Sequence, residues 1–230
     1  MKFAYAFAAM IVAPFMAVAE TTPEGCEAVL TVQKHGCEVT HIYQCEQGIV
    51  KHINIDQDEF DWVSLFGPDY IELESKEEIT GIGLVGMNAI SDPRSLHTLL
   101  TTGRDTVAYR GEFDMPGLLI GAADVSSQSR LMDEVLEIGG VTWQKALEEI
   151  VFQVRPHLAM TGTQDIWIDA ESGILFHGSS SHELAGKAEE TDNTPVEVIY
   201  PGQPGFLSMS PIYDCGEMMS ALPFSENHAG

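Results

Sequence analysis

The densest group of chemically capable side chains is a short segment in which two histidines flank three serines. His177 and His182 enclose Gly178–Ser181, and Glu183 follows directly. Imidazole and carboxylate groups can bind Zn²⁺ or Cu²⁺, and a serine beside a histidine can act as a nucleophile. The spacing fits no strong zinc pattern, however, and the serines lack the Gly-x-Ser-x-Gly pattern of a nucleophile elbow. We therefore predict a polar loop here, with neither a catalytic nor a metal site.

A glycine pattern raises the possibility of a dinucleotide site. Gly81–Gly86 has the G-x-G-x-x-G spacing, and Asp105 follows at about the distance of a ribose-binding acid. That motif needs a buried parallel strand before it and a helix directly after it. The preceding Glu74–Glu78 is instead charged. The pattern is interpreted as a flexible glycine loop, and no cofactor is expected.

A run of carboxylates, Asp56–Asp61, suggests calcium. Four acidic side chains lie within six residues, but an EF-hand-like loop would need glycine where Asp61 stands. We interpret this run as an acidic surface turn.

The overall charge excludes a class of partners. The chain has 35 acidic residues against 11 lysines and arginines, a formal net charge of −24. Such a polyanion is repelled by phosphate backbones and anionic lipid head groups. We expect no nucleic-acid partner.

The N-terminal residues predict export. Met1–Ala19 has one basic residue, Lys2, then an apolar run and the small residues Ala17–Ala19. This is the layout of a cleaved secretory signal, and the run is shorter than a membrane span of roughly 20 residues. We expect cleavage after Ala19, a periplasmic or secreted protein, a single domain over 20–230, and no transmembrane segment after cleavage.

In an oxidising compartment the four cysteines are expected to form two disulfides, and three pairings are possible. A two-residue hairpin loop at His35-Gly36 would set Cys26 opposite Cys45. If the chain from Cys37 to Cys45 is a strand, these two are roughly 26 Å apart, too far for a disulfide. Cys37 is then left for Cys215.

Glycine and proline residues divide the rest of the chain into extended segments. In Glu134–Gly178 the turns lie at Gly139-Gly140, Arg155–His157 and Ala170–Gly173. Strands joined this tightly run antiparallel. We also expect a polar loop over 183–194.

One segment has clear helix signals. Asp92 can cap it, Pro93 suits its first position, Gly103 can close it, and three leucines form one apolar stripe: Leu96, Leu99 and Leu100. The sequence predicts one short helix over about 92–102.

Two further segments bear on the fold. Thr142–Val154 fits either an amphipathic helix or a long strand, and its β-branched and aromatic content favours the strand. Ile166–Ile168 and Ile174–Phe176 are apolar on both faces, so one face should meet the core while a helix, loop or ligand covers the other. Trp143 and Trp167 should then be at least partly buried.

Parts of the chain resemble an uncharacterised family of small exported proteobacterial proteins. The resemblance is carried by Asp92–Asp105, by Gly139-Gly140 before a long strand, by Ser172–Gly178 and especially by Val196–Gly216. It implies export and a shared fold, and it assigns no activity, ligand or catalytic residue.

The expected fold is mainly β: an antiparallel meander sheet, curved or forming a half-open barrel, with the short helix packed against it. Such sheets often leave an apolar concavity. We therefore expect a non-enzymatic binding or carrier protein for an apolar ligand or an extended polypeptide. The alternatives are an interaction or structural module of the cell envelope without a small ligand and, third, a metal-dependent or hydrolytic enzyme.

Overall fold

The chain folds into one large antiparallel sheet. A computed structural model describes residues 22–57, 61–70, 72–77, 82–115, 119–154, 158–184 and 186–216. In that part of the chain the sheet has thirteen strands: β1 (Cys26–Lys34), β2 (Glu38–Cys45), β3 (Val50–Asp56), β4 (Asp61–Phe66), β5 (Glu72–Glu77), β6 (Gly83–Asp92), β7 (Arg104–Met115), β8 (Leu119–Ile138), β9 (Val141–Val154), β10 (Leu158–Ile168), β11 (Leu175–Leu184), β12 (Lys187–Thr191) and β13 (Pro195–Ile199). Helix α1 (Leu96–Thr102) and the 3-10 turns Glu46–Gly48 and Pro68–Tyr70 complete it.

The order of the strands makes the sheet curl. From β1 to β12 each strand pairs with its neighbour in sequence, and β13 returns to pair with β1, so β12 and β13 are the two edges. Residues 192–194 alone connect these edges, a reach of roughly 14 Å at most. The predicted mainly-β, curled antiparallel fold is confirmed.

Helix α1 begins later than the sequence predicts. Asp92 is the last residue of β6, and Ser95 is the N-cap, its hydroxyl accepting from the Thr98 amide at 3.1 Å. The prediction of Asp92 as the cap was therefore wrong, because that residue continues the sheet. Gly103 closes the helix in the left-handed conformation, with φ of 79°, as expected.

The first hairpin reaches the expected cysteine pairing by a different register. The loop has three residues, His35–Cys37, so Lys34 faces Glu38 and the two-residue loop was wrong. A bulge between Ala28 and Leu30 then shifts the register by one residue and restores Cys26 opposite Cys45. The structure contains the disulfides Cys26–Cys45 and Cys37–Cys215.

The ambiguous segment is a strand. β9 pairs with β8 and β10 along its length, but three residues of β8, 132–134, face Lys145 alone. Trp143 packs with Trp167 on one face of the sheet and Ala146 packs with Ile166 on the other, and both are buried. Because both faces of the strand are covered here, its buried positions imitated helical spacing.

Strands β10 and β11 are covered on both faces. Ile166, Ile168 and Leu175 pack in a cluster with Leu96 and Leu99 of α1. The alternate residues Trp167 and Phe176 pack with Trp143 and with residues of β1 and β2, namely Leu30, Val32 and Ile42. The helix therefore covers one face, and strands cover the other. Trp143 and Trp167 are only 1% and 2% exposed, which confirms their predicted burial.

The last segment of the described chain packs on β1–β4. Phe206, Leu207 and Met209 join a cluster with buried side chains of these strands, and the Leu207 amide donates to Thr31 Oγ1 at 3.0 Å. In the polar loop expected over 183–194, residues 183–184 instead end β11 and residues 187–191 form β12, because backbone pairing there tolerates exposed polar side chains. Residues 192–194 are a loop, as expected.

Candidate functional site

A cavity of about 410 Å³ lies within the curl of the sheet. Its walls come from strands β4–β11, and cross-strand pairing explains their composition. Tyr109, Val125, Phe152 and Met160 form one row of paired residues across β7–β10. Further apolar walls come from Trp62, Phe66, Leu84, Val107, Phe113, Ile150, Leu158 and Leu175.

An ion pair lies in the cavity wall. Arg94, between β6 and α1, donates from Nη2 to Glu148 Oε1 of β9 at 2.5 Å. The Ser127 hydroxyl donates to the same oxygen at 2.5 Å. Burial alone would raise the pKa of Glu148, but Arg94 and Ser127 outweigh it and hold the pKa below its usual value. Glu148 is therefore ionised and paired.

A second carboxylate in the cavity has neutral partners. Glu72 of β5 accepts a short hydrogen bond from the Tyr109 hydroxyl and another from Ser75. Ser75 in turn accepts from Trp62 Nε1 at 2.8 Å. Burial raises the pKa of Glu72, and these hydrogen bonds only partly oppose that shift.

Two neighbouring histidines, His177 half-buried and His52 buried, complete the polar groups on this side of the cavity. His177 of β11 lines the cavity, and the His52 ring lies 6.5 Å from it, centroid to centroid. Burial lowers the pKa of His177 to about 4 and also lowers the pKa of His52 well below its usual value. Within the described residues His52 Nε2 has no hydrogen-bond partner. Both rings are therefore neutral at pH 7.

These histidines predict acid-sensitive stability. A folded-state pKa near 4 against an ordinary value of 6.5 means that the unfolded chain binds the His177 proton first as pH falls. The contribution of neutral His177 to the free energy of unfolding is therefore complete above pH 6.5 and is lost between pH 6.5 and 4. We expect His177 to account for about 3 kcal/mol of that loss.

Urea unfolding over a pH series tests this. H177Q keeps a neutral polar group at all pH values, so its stability should fall less between pH 6.5 and 4 than that of the unsubstituted protein. H182Q is the matched control, since His182 lies on the same strand and pairs with Glu189 at 3.3 Å outside the cavity. Identical pH profiles for H177Q and the unsubstituted protein would contradict the assignment.

The structure separates the histidines that the sequence grouped. His177 faces Ile166 and His182 faces Gly162 on β10, with a register irregularity between them. The segment is strand rather than the predicted loop. Among the described residues no group of three or more His, Cys, Asp or Glu side chains could hold a metal ion.

The other sequence candidates have structural roles or lie partly outside the described residues. Gly83 begins strand β6 and pairs with Lys76, so the expected glycine loop is wrong from this residue onward, while Gly81 lies outside. Asp105 accepts from the Ser95 amide at 2.8 Å and so supports the start of α1. Asp56 ends β3, and the acidic residues 58–59 lie outside the described part.

Sequence reasoning missed Glu72, Arg94, Tyr109 and Glu148 as a group. One signal was available for Glu148, which lies two residues from Ile150 in an apolar strand pattern, so that a charge falls on a buried face. No local signal indicates Arg94, whose partner is 54 residues away.

Comparison with known protein families, with curated proteins and with solved structures finds no match to this chain. Among the described residues no helix is long and apolar enough to cross a membrane.

Proposed function

We propose that this chain is an exported carrier or binding protein for an apolar small molecule. The observation that carries the proposal is the cavity of about 410 Å³ with apolar walls from β4–β11. Ligand pockets commonly have volumes of about 300–1,000 Å³, with mostly apolar walls and a few polar groups that orient the ligand. The cavity has this composition.

Two features support the proposed export. The two disulfides are typical of oxidising compartments. The layout of Met1–Ala19 supplies the proposed signal, with cleavage after Ala19, which would place the protein in the periplasm or outside the cell.

The polar groups of the cavity favour binding over catalysis. Ser127 donates to Glu148, the arrangement of a hydroxyl nucleophile beside a base. Glu148 is held ionised by Arg94, however, and a carboxylate with a lowered pKa is a weak general base at neutral pH. The pair is better suited to stabilising the wall.

The exposed edge strand is poorly suited to binding an extended polypeptide. All five residues of β12 are exposed, and three of them are charged, Lys187, Glu189 and Glu190. Charged side chains on an edge strand oppose pairing with another chain. The cavity therefore supports a small apolar ligand better than a polypeptide.

Filling the cavity should abolish binding. I150W places an indole into the cavity from β9, whereas V151W adds the same side chain on the opposite face of that strand, where Val151 is 41% exposed. We expect the apolar fluorophore N-phenyl-1-naphthylamine to bind the unsubstituted protein and V151W alike, and to bind I150W at least about tenfold more weakly, because its space is occupied.

Fluorescence titration, with excitation outside the tryptophan absorption band, gives the three affinities. Circular dichroism establishes that each variant is folded. Equal affinity in I150W and V151W would show that the probe binds elsewhere and would refute the proposal.

A further inference from the structure

The charges in the cavity wall do not balance. Its lining includes one guanidinium, that of Arg94, and two carboxylates, those of Glu72 and Glu148. Arg94 pairs directly with Glu148 at 2.5 Å. His177, with its pKa near 4, adds no positive charge at pH 7. Arg94 also acts on Glu72 at longer range, but its ion pair is with Glu148, so Glu72 has no ion-pair partner of its own in the described part of the chain.

Glu72 is held toward the cavity by neutral donors. Tyr109 and Ser75 donate to it, and neither brings a charge. Among the described residues no salt bridge includes Glu72; on the same strand Glu74 is paired with Lys76 at 2.5 Å. A carboxylate in an apolar site without a counter-ion is costly in its charged form. A cation entering the cavity would remove that cost.

The surroundings also favour a positively charged ligand. Aromatic rings of Trp62, Tyr109 and Phe113 line the cavity, and a cation near such rings is attracted to their faces. The net charge of −24 draws cations toward the protein. A ligand carboxylate would meet Glu72 and would have to compete with Glu148 for Arg94.

We propose that the ligand is an amphipathic amine whose ammonium group pairs with Glu72 while its apolar body fills the cavity. This inference rests on the proposed function of the cavity. It adds the chemical class of the ligand's polar end.

Three probes with the same twelve-carbon chain test the proposal: dodecylamine, dodecan-1-ol and dodecanoic acid, each kept as monomers below its micelle concentration or solubility limit. Displacement of N-phenyl-1-naphthylamine gives their relative affinities. We expect the amine to bind the unsubstituted protein at least about tenfold more tightly than the alcohol, the effect of one charge-assisted hydrogen bond, and the acid to bind most weakly.

E72Q should remove this preference while alcohol binding remains, because the amide still accepts from Tyr109 but has no charge. E74Q is the matched control: the same substitution on the same strand, at a residue that faces Leu65 and lies outside the cavity lining. E74Q should keep the preference of the unsubstituted protein.

The outcomes separate the two proposals. If neither the fluorophore nor any of the three chains binds the unsubstituted protein, the carrier function is wrong. If they bind but the amine is not preferred, or if E72Q keeps the preference, the cavity binds apolar molecules and the amine assignment is wrong. The three-probe comparison on the unsubstituted protein decides this even where E72Q does not fold.

Discussion

Removal of the disulfide between Cys37 and Cys215 by C37A/C215A should lower the free energy of unfolding by about 5 kcal/mol. The bond joins residues 178 apart in sequence, so its loss returns a large conformational entropy to the unfolded chain. It also ties the terminal segment, whose Leu207 packs on the first strands, to the loop of the first hairpin.

The other disulfide is the control. C26A/C45A opens a bond between residues only 19 apart, for which the same chain-entropy relation gives about 3 kcal/mol. Urea unfolding of both double variants measures the difference. A C26A/C45A loss that equals or exceeds the C37A/C215A loss would contradict the account of the long loop as the stronger constraint.

The buried ion pair in the cavity wall should have the second large effect. E148Q leaves the Arg94 guanidinium in the wall without its carboxylate, and breaking a buried pair from one side costs about 3–5 kcal/mol. The two side chains are only 12% and 3% exposed, so solvent cannot replace the lost partner. R94M should cost a comparable amount, because Glu148 then remains charged and unpaired.

The double variant R94M/E148Q distinguishes this from a simple packing defect. Removing both charges should cost less than the sum of the two single substitutions, since no unpaired ion remains. R110M is the surface control: Arg110 pairs with Asp124 at 2.7 Å but is 54% exposed, and its loss should stay within about 1 kcal/mol. Strictly additive losses in urea unfolding would show that Arg94 and Glu148 act independently.

Local sequence signals predicted the fold because the chain is a meander. Each strand from β1 to β12 pairs with its neighbour in sequence, so turn residues such as Gly139 and Gly140 indicate both the strand boundaries and the pairing. Irregularities in strand pairing, such as β-bulges, could not be predicted from these turn residues. The bulge between Ala28 and Leu30 has no glycine or proline to mark it.

The cavity was less predictable because its polar wall is made by distant residues. Glu72 lies in a stretch that alternates Tyr70, Glu72 and Glu74 with apolar residues, which suggests one solvated polar face. In the structure a register irregularity between Leu65 and Phe66 separates Glu72, beside the cavity, from Glu74. The hydrogen bond from Tyr109 joins residues 37 apart, a contact that periodicity does not reveal.

The residue types around His177 suggested a kind of site that the structure does not have among its described residues. Its neighbours His182 and Glu183 suggested metal binding, yet His177 faces Ile166 and His182 faces Gly162, four residues apart along β10. His182 therefore lies outside the cavity lining, where it pairs with Glu189. The useful signal was the apolar Leu175 two residues earlier, because both then face the cavity.

Native mass spectrometry of the protein, isolated without detergent from the cells that make it, tests the carrier function most directly. The account predicts a complex heavier than the polypeptide by one small organic molecule, released on denaturation and absent from I150W. Polypeptide mass alone for both proteins, or a bound mass that I150W retains, would contradict it.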